Sequence, residues 1–302
     1  MIDDDAFASD LRRTRETFLA LVADVRPDLH RYCARMTGSI ADGEDIVQET
    51  LAQAYYTFAE VESPLPLRAW LFRVAHHRAL DYLRRYDRRM VRSLDAEDDF
   101  VADVEHGPED AVARDEAVRA ALATFGTLVP MQRSAVILKD VLGHSVDEIA
   151  RLLEVRGPAV KAALHRGRAA LRASAATPVA SPPERVPSAA LTKYVHLFNA
   201  RDWDGVRGML AEDVRLDLVS RSRRVGRRDV SGYVSRYSQA PDWYFRPGWL
   251  DGCEVIAAFT DAAAPQPYYF VELGFRDDQV ISIRDFRYVP YIAKDAEIHV
   301  SG

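Results

Sequence analysis

Residues 42–58 read DGEDIVQETLAQAYYTF and residues 67–86 read LRAWLFRVAHHRALDYLRRY, and the contrast between these neighbours decides the fold class of the front of the chain. In the first segment Val47, Leu51, Ala54, Tyr55 and Phe58 recur at helical spacing, while Asp45, Gln48 and Glu49 share the opposite face. In the second, Leu71, Val74, Ala75, Ala79, Tyr82 and Leu83 make an apolar stripe, with Arg73, His76, His77 and Arg84 on a different face. The spacing therefore predicts an acidic amphipathic helix running into a basic, aromatic one. The first suits docking on a protein and the second suits contact with nucleic acid. Trp70 is open to two readings, core packing by its helical spacing or a part in the nucleic-acid face.

Working outward, the block from Leu11 to Tyr86 reads as helices with few breakers: Pro27 is expected to kink or end one, and Gly38 with Ser39 to close the next. A second helical block spans Ala111 to Ala173. Between them the charge reverses, for an acidic stretch opens at Asp95 and continues through Glu97, Asp98 and Asp99 to Glu116 with no apolar periodicity before the second block, which reads as a linker. The formal net charge of −6 thus hides strongly segregated charge, and the local balance decides which partners are open to each segment.

HSVDEIARLLEVRGPAVKAALHRGRAALR, residues 144–172, carries a capping box in Ser145 and Glu148, a short helix, a turn at Val155 to Gly157 and a second helix beginning at Pro158. That is the helix-turn-helix plan. Val160, Leu164 and Leu171 can pack inward, leaving Lys161, His165, Arg168 and Arg172 along one outward face, with Arg166 adding to the basic surface.

After the Pro-rich TPVASPPERVPS, residues 177–188, the pattern changes to a helix carrying Leu191, Tyr194, Val195 and Phe198, followed by VRLDLV, CEVIAAF, PYYFVELGF and QVISIRDFRYV. These predict an α+β domain, with Asp277-Asp278 as a hairpin turn between its last two strands. Asp217, Asp251 and Asp285 are candidate pocket acids, although no spacing singles out a pair.

The 302 residues, 48% hydrophobic, supply enough apolar side chains for two or three domain cores. No run of about 18 apolar residues occurs, and the acidic start MIDDDAFASD does not look like a signal peptide, so a cytoplasmic location without membrane contact is expected. Cys33 and Cys253 lie far apart without ligand-spaced companions, so neither a disulfide framework nor a metal site is indicated.

With these motifs in order, the first 175 residues or so resemble the extracytoplasmic-function (group-four) sigma factors of bacterial RNA polymerase. The resemblance implies a multidomain chain: a sigma region-two domain over 11–92, an acidic linker over 93–110 and a region-four helix-turn-helix domain over 111–175. A Pro-rich linker over 176–188 would follow, then a regulatory domain over 189–302. By the same resemblance Asp42, Asp45, Gln48 and Glu49 would face core RNA polymerase, and Arg68, Arg73, His76, His77 and Arg84 would contact the minus-ten promoter element. The loop Glu60 to Pro66 would capture a base, and the helix-turn-helix would read the minus-thirty-five element. His76 and His77 stand where many relatives carry Asn.

Residues 193–219, KYVHLFNARDWDGVRGMLAEDVRLDLV, look like the opening of SnoaL-like domains, a cone-shaped (cystatin-like) α+β fold around a pocket. Trp249, Asp251 and Gly252, with Arg287, Tyr288 and Tyr291, are the regulatory-domain candidates, and a small-molecule ligand of this domain is the further partner the resemblance admits. No cofactor, metal or catalytic residue is implied. The alternative is a helix-turn-helix transcriptional regulator with a ligand-sensing domain, in which the block 42–86 has no evident role.

Overall fold

The computed structural model describes residues 22–58, 67–90, 122–175, 186–239, 243–294 and 298–300, with isolated positions 16, 18, 20 and 296. It divides into two compact units, Met1–Pro178 and Val179–Gly302.

The first unit is helical. Helix α1 (Arg26–Thr37) has Pro27 in its first turn, where the missing N–H costs nothing, so Pro27 opens a helix instead of kinking or ending one. Gly38 ends it in the left-handed conformation, φ 80°, with its N–H returning to the Ala34 carbonyl. Helix α2 (Ile40–Phe58) crosses α1 closely. A β-carbon on Gly43 would sit 2.6 Å from the Ala34 backbone, so only glycine allows the approach. Helix α3 (Leu67–Met90) completes the first block, packing on both α1 and α2.

The second block holds α4 (Leu122–Phe125), α5 (Pro130–Val136), a π-helical turn (Ile137–Val141), α6 (Val146–Leu153) and α7 (Gly157–Ala175). The capping box is present in both directions: Ser145 Oγ accepts from the Glu148 N–H, and the Glu148 carboxylate accepts from the Ser145 N–H. Glu154 then takes the left-handed conformation, φ 59°, that turns the chain into α7. Gly167 lies against Val136 of α5, where a β-carbon would meet the Val136 side chain at 2.7 Å. Tyr32, Met36 and Phe72 of the first block and Ala135, Val136 and Ile149 of the second belong to one continuous apolar core.

The second unit is α+β, as its sequence pattern predicts. Helices α8 (Ala189–Asn199), α9 (Trp203–Gly208), α10 (Arg227–Ser238) and α11 (Tyr291–Lys294) accompany a seven-stranded sheet. Its strands are β1 (Leu210–Leu218), β2 (Ser222–Val225), β3 (Tyr244–Leu250), β4 (Cys253–Phe259), β5 (Tyr269–Arg276), β6 (Gln279–Asp285) and β7 (His299–Val300), in the order β2-β1-β6-β5-β4-β3-β7. Strands β1 and β6 pair in parallel and the other neighbours are antiparallel. Asp277 and Asp278 both have positive φ and join β5 to β6, as expected of a two-residue hairpin turn. Strands β2, β3 and β7 do not stand out in the sequence.

Candidate polymerase and nucleic-acid interfaces

The acidic face of α2 is held in place by α3. Asp42, Asp45 and Gln48 are half-buried and Glu49 is exposed, so all four expected side chains reach one accessible face. The Asp42 carboxylate accepts from the Tyr82 hydroxyl at 2.8 Å. Glu49 pairs with Arg78 at 2.7 Å, and Arg78 also donates to Gln53. A further acid, Glu44, is fully buried and ion-paired with Arg26 at 2.6 Å. Sequence reasoning missed it, although its position one turn before Val47 on the apolar stripe was the available signal.

On α3 the expected basic residues separate. Arg84 and His77 are exposed. Arg68 is exposed too, pairing with Asp28 at 2.7 Å and lying 5.4 Å above the Phe72 ring. Arg73 is half-buried and points to the second block, where it donates to the Arg151 carbonyl and lies 3.4 Å from the Glu154 carboxylate. His76 departs from its expected exposed face: it is buried, with Nδ1 2.8 Å from the Tyr32 hydroxyl. The cause is geometric, since Phe72, Ala75, His76 and Ala79 form a stripe at intervals of three and four, and the second block covers it. Burial, with a smaller effect of His77, pushes the His76 imidazole down to about 4. Trp70 is half-buried and packs on the core. The loop from residue 60 to 66 and the acidic linker fall outside the described residues.

In the helix-turn-helix, Lys161, His165, Arg166 and Arg172 are exposed along α7. Arg168, expected on the same outward face, turns inward instead. Its guanidinium grips the buried Asp140 carboxylate through two bonds, Nε to Oδ2 at 2.9 Å and Nη2 to Oδ1 at 2.6 Å. The π-helical turn that carries Asp140 leaves no periodic trace in the sequence, so this partner was not foreseeable. Arg168 thus anchors α7 and does not extend its exposed basic row.

In the second unit the regulatory-domain candidates take mixed positions. Asp251 and Gly252, φ 50° and 85°, form the two-residue turn between β3 and β4. Trp249 is half-buried in β3, and Tyr291 is half-buried at the start of α11. Tyr288 is exposed, with the Arg221 guanidinium 4.4 Å above its ring. Arg287 donates its N–H to Asp285 Oδ1 at 2.8 Å, while its guanidinium lies 4.8 Å over Trp243.

Asp285 is the polar centre of this unit. Its Oδ2 accepts from the Tyr233 and Tyr237 hydroxyls at 2.8 and 3.0 Å, and Tyr237 meets Tyr269 at 2.6 Å. Burial raises the Asp285 carboxyl, opposed by the hydrogen bonds from Arg287, Tyr233 and Tyr237, and burial likewise raises the tyrosine phenols. The separation of these residues along the chain hid the cluster from sequence reasoning. Among the described residues no group of His, Cys, Asp and Glu could hold a metal, and no helix is long and apolar enough to cross a membrane.

Two family models match the chain: Sigma-70 region 2 over residues 21–89 and Sigma-70, region 4 over residues 119–171. The ECF RNA polymerase sigma factor SigG of Mycobacterium tuberculosis is 33% identical over 214 residues, which are 63% of this chain and 58% of that protein. The match thus spans little more than half of SigG. ECF sigma factor SigW of Bacillus subtilis is 30% identical over 168 residues, covering 52% of this chain and 88% of SigW. Among solved structures, the Mycobacterium tuberculosis extracytoplasmic function sigma factor SigJ is 22% identical, covers 88% of this chain and 95% of its own, and aligns with a TM-score of 0.36. With both sigma regions matched in order and nearly the whole of SigW aligned, the chain belongs to the ECF RNA polymerase sigma factors.

Proposed function

We propose that this protein is a promoter-specificity subunit: it binds core RNA polymerase through the acidic face of α2, engages promoter DNA through α3 and α7, and assists melting. The observation that carries the reading is the side-by-side placement of Asp42, Asp45, Gln48 and Glu49 on α2 and of Arg68, His77 and Arg84 on α3, with a capped helix-turn-helix following. Nucleotidyl transfer belongs to the polymerase. The sigma factor supplies phosphate contacts that position it and surfaces that trap unstacked bases, offsetting an opening cost of about a few kcal/mol per step.

The α+β unit is read as a built-in regulator, with the surroundings of Asp285 and Arg287 as its polar centre. The test is transcription of fragmented genomic DNA by core polymerase, with no added protein, with the full chain, and with a chain ending at residue 176. New discrete start sites support the reading, and a difference between the two chains gives the sign of control by the last domain. Failure to bind core overturns it in favour of a regulator that binds duplex DNA alone.

A further inference from the structure

The second helical block covers part of the basic helix. Ser134 of α5 meets Tyr32 of α1 and His76 of α3 in a three-way hydrogen-bonded cluster: Tyr32 hydroxyl to His76 Nδ1 at 2.8 Å, Tyr32 to Ser134 at 3.0 Å and Ser134 to His76 at 3.2 Å. Tyr32 and Ser134 are 0% exposed and His76 is 7% exposed. At the rim Arg73 binds Arg151 and Glu154, and the His144 ring stands edge-on to Phe72 at 5.4 Å.

We propose that this packing is an autoinhibited closed state, in which the second block masks the Phe72–Arg73–His76 face of α3, and that acidification releases it through His76 and His144. The inhibitory part rests on the function proposed above, in which α3 meets promoter DNA, and on Arg73 and His76 belonging to that contact as their sequence pattern implies, since Arg68, His77 and Arg84 stay exposed in the closed packing.

The chemistry of the join supplies the switch. Tyr32 and Ser134 hydroxyls can donate to a neutral imidazole or accept from a charged one, so protonation need not break the bonds. Its cost is desolvation of the charge, and the adjacent His77 adds to that cost. His144 is also depressed, chiefly by burial; Arg68 from α3 adds to this, while Asp28 from α1 and Glu148 from α6 oppose it. Both histidines are therefore held neutral by closure and regain their ordinary basicity on opening, so protons favour the open form.

The experiment uses the full chain with Cys253 replaced by Ser and spin labels at Asp81 of α3 and Asp147 of α6, both exposed. Inter-label distances and affinity for a single-stranded promoter oligonucleotide are read at about pH 7.5 and about pH 5.5. The wild type should show a short, narrow distance at the higher pH and a longer, broader one at the lower. Tyr32→Phe keeps the buried ring and removes the hydroxyl, and Glu154→Ala acts at the exposed rim, so one opener survives if the other does not fold. Openers should bind the oligonucleotide about tenfold more tightly, as expected when the competent form is about a tenth of the population. His76→Asn should weaken the distance response to pH. A long distance in the wild type at pH about 7.5, or openers with unchanged distance or affinity, would overturn the proposal. Core-polymerase binding is scored separately: a distance switch with no core binding by any variant would remove the promoter reading, and with it the inhibitory role.

Discussion

Arg133 of α5 donates through Nη1 to the Met36 carbonyl of α1 at 2.5 Å, while Nη2 donates to the carbonyls of Gly126 and Leu128. One buried guanidinium thus serves a carbonyl in the last turn of a helix in one block and two turn carbonyls in the other. Arg133→Ala should lower stability by about 2–3 kcal/mol, since buried acceptors lose a charged donor. Arg133→Lys should rescue little, because an ammonium lacks the planar fork. Urea unfolding of the two variants against the wild type checks both expectations.

Arg168→Ala should cost about 3–5 kcal/mol in the second block by leaving the Asp140 carboxylate buried without its partner. The double replacement Arg168→Met with Asp140→Leu should recover much of that loss, because the apolar pair leaves no charge behind. Thermal unfolding of the two variants decides it. A large drop in DNA affinity from Arg168→Ala with unchanged stability would return this residue to the DNA-facing row.

Lys161→Ala and Arg172→Ala, at exposed positions on α7, should leave stability within about 0.5 kcal/mol of the wild type. Each should reduce the slope of log affinity against log salt for promoter duplex by about one. Polymerase holoenzyme titrations at several salt concentrations measure the slope.

Asp285 sets an unusual pH dependence for the α+β unit. Its carboxyl is raised in the folded domain, so the folded chain holds a proton that the unfolded chain has released between the ordinary value of 3.8 and the raised one. This group should therefore stabilise the domain as pH falls through that window, and the gain should vanish as pH rises above it. Asp285→Asn should flatten the profile. Asp285→Ala should cost about 3 kcal/mol, because the Tyr233 and Tyr237 hydroxyls lose their acceptor. Melting temperatures across acidic pH provide the check.

The regular elements were readable where periodicity and turn chemistry act locally. The Ser145–Glu148 box, the Gly38 stop and the Asp277–Asp278 hairpin all form where their residue types predict. What could not be read depends on contacts between distant segments. His76 reads by sequence with the polar Arg73, His77 and Arg84, but it borders Phe72, Ala75 and Ala79, and Ser134, 58 residues later, packs against it. Arg168 follows the outward spacing of Lys161 and Arg172, but the inward carboxylate of Asp140 captures it. Asp285 could not be chosen from the acids of its domain before the fold gathered three tyrosines around it. Helical spacing identifies a face, whereas its covering depends on the rest of the fold.

The apolar core shared by the two helical blocks also sets how the chain responds to temperature. Parting them would hydrate side chains at the join such as Phe72, which meets His144, and Met36, which meets Ser134, a change that carries a positive heat capacity. Apolar association of this kind weakens on cooling. The join is therefore a thermal element, tightening as the cell warms toward moderate temperatures and loosening in the cold.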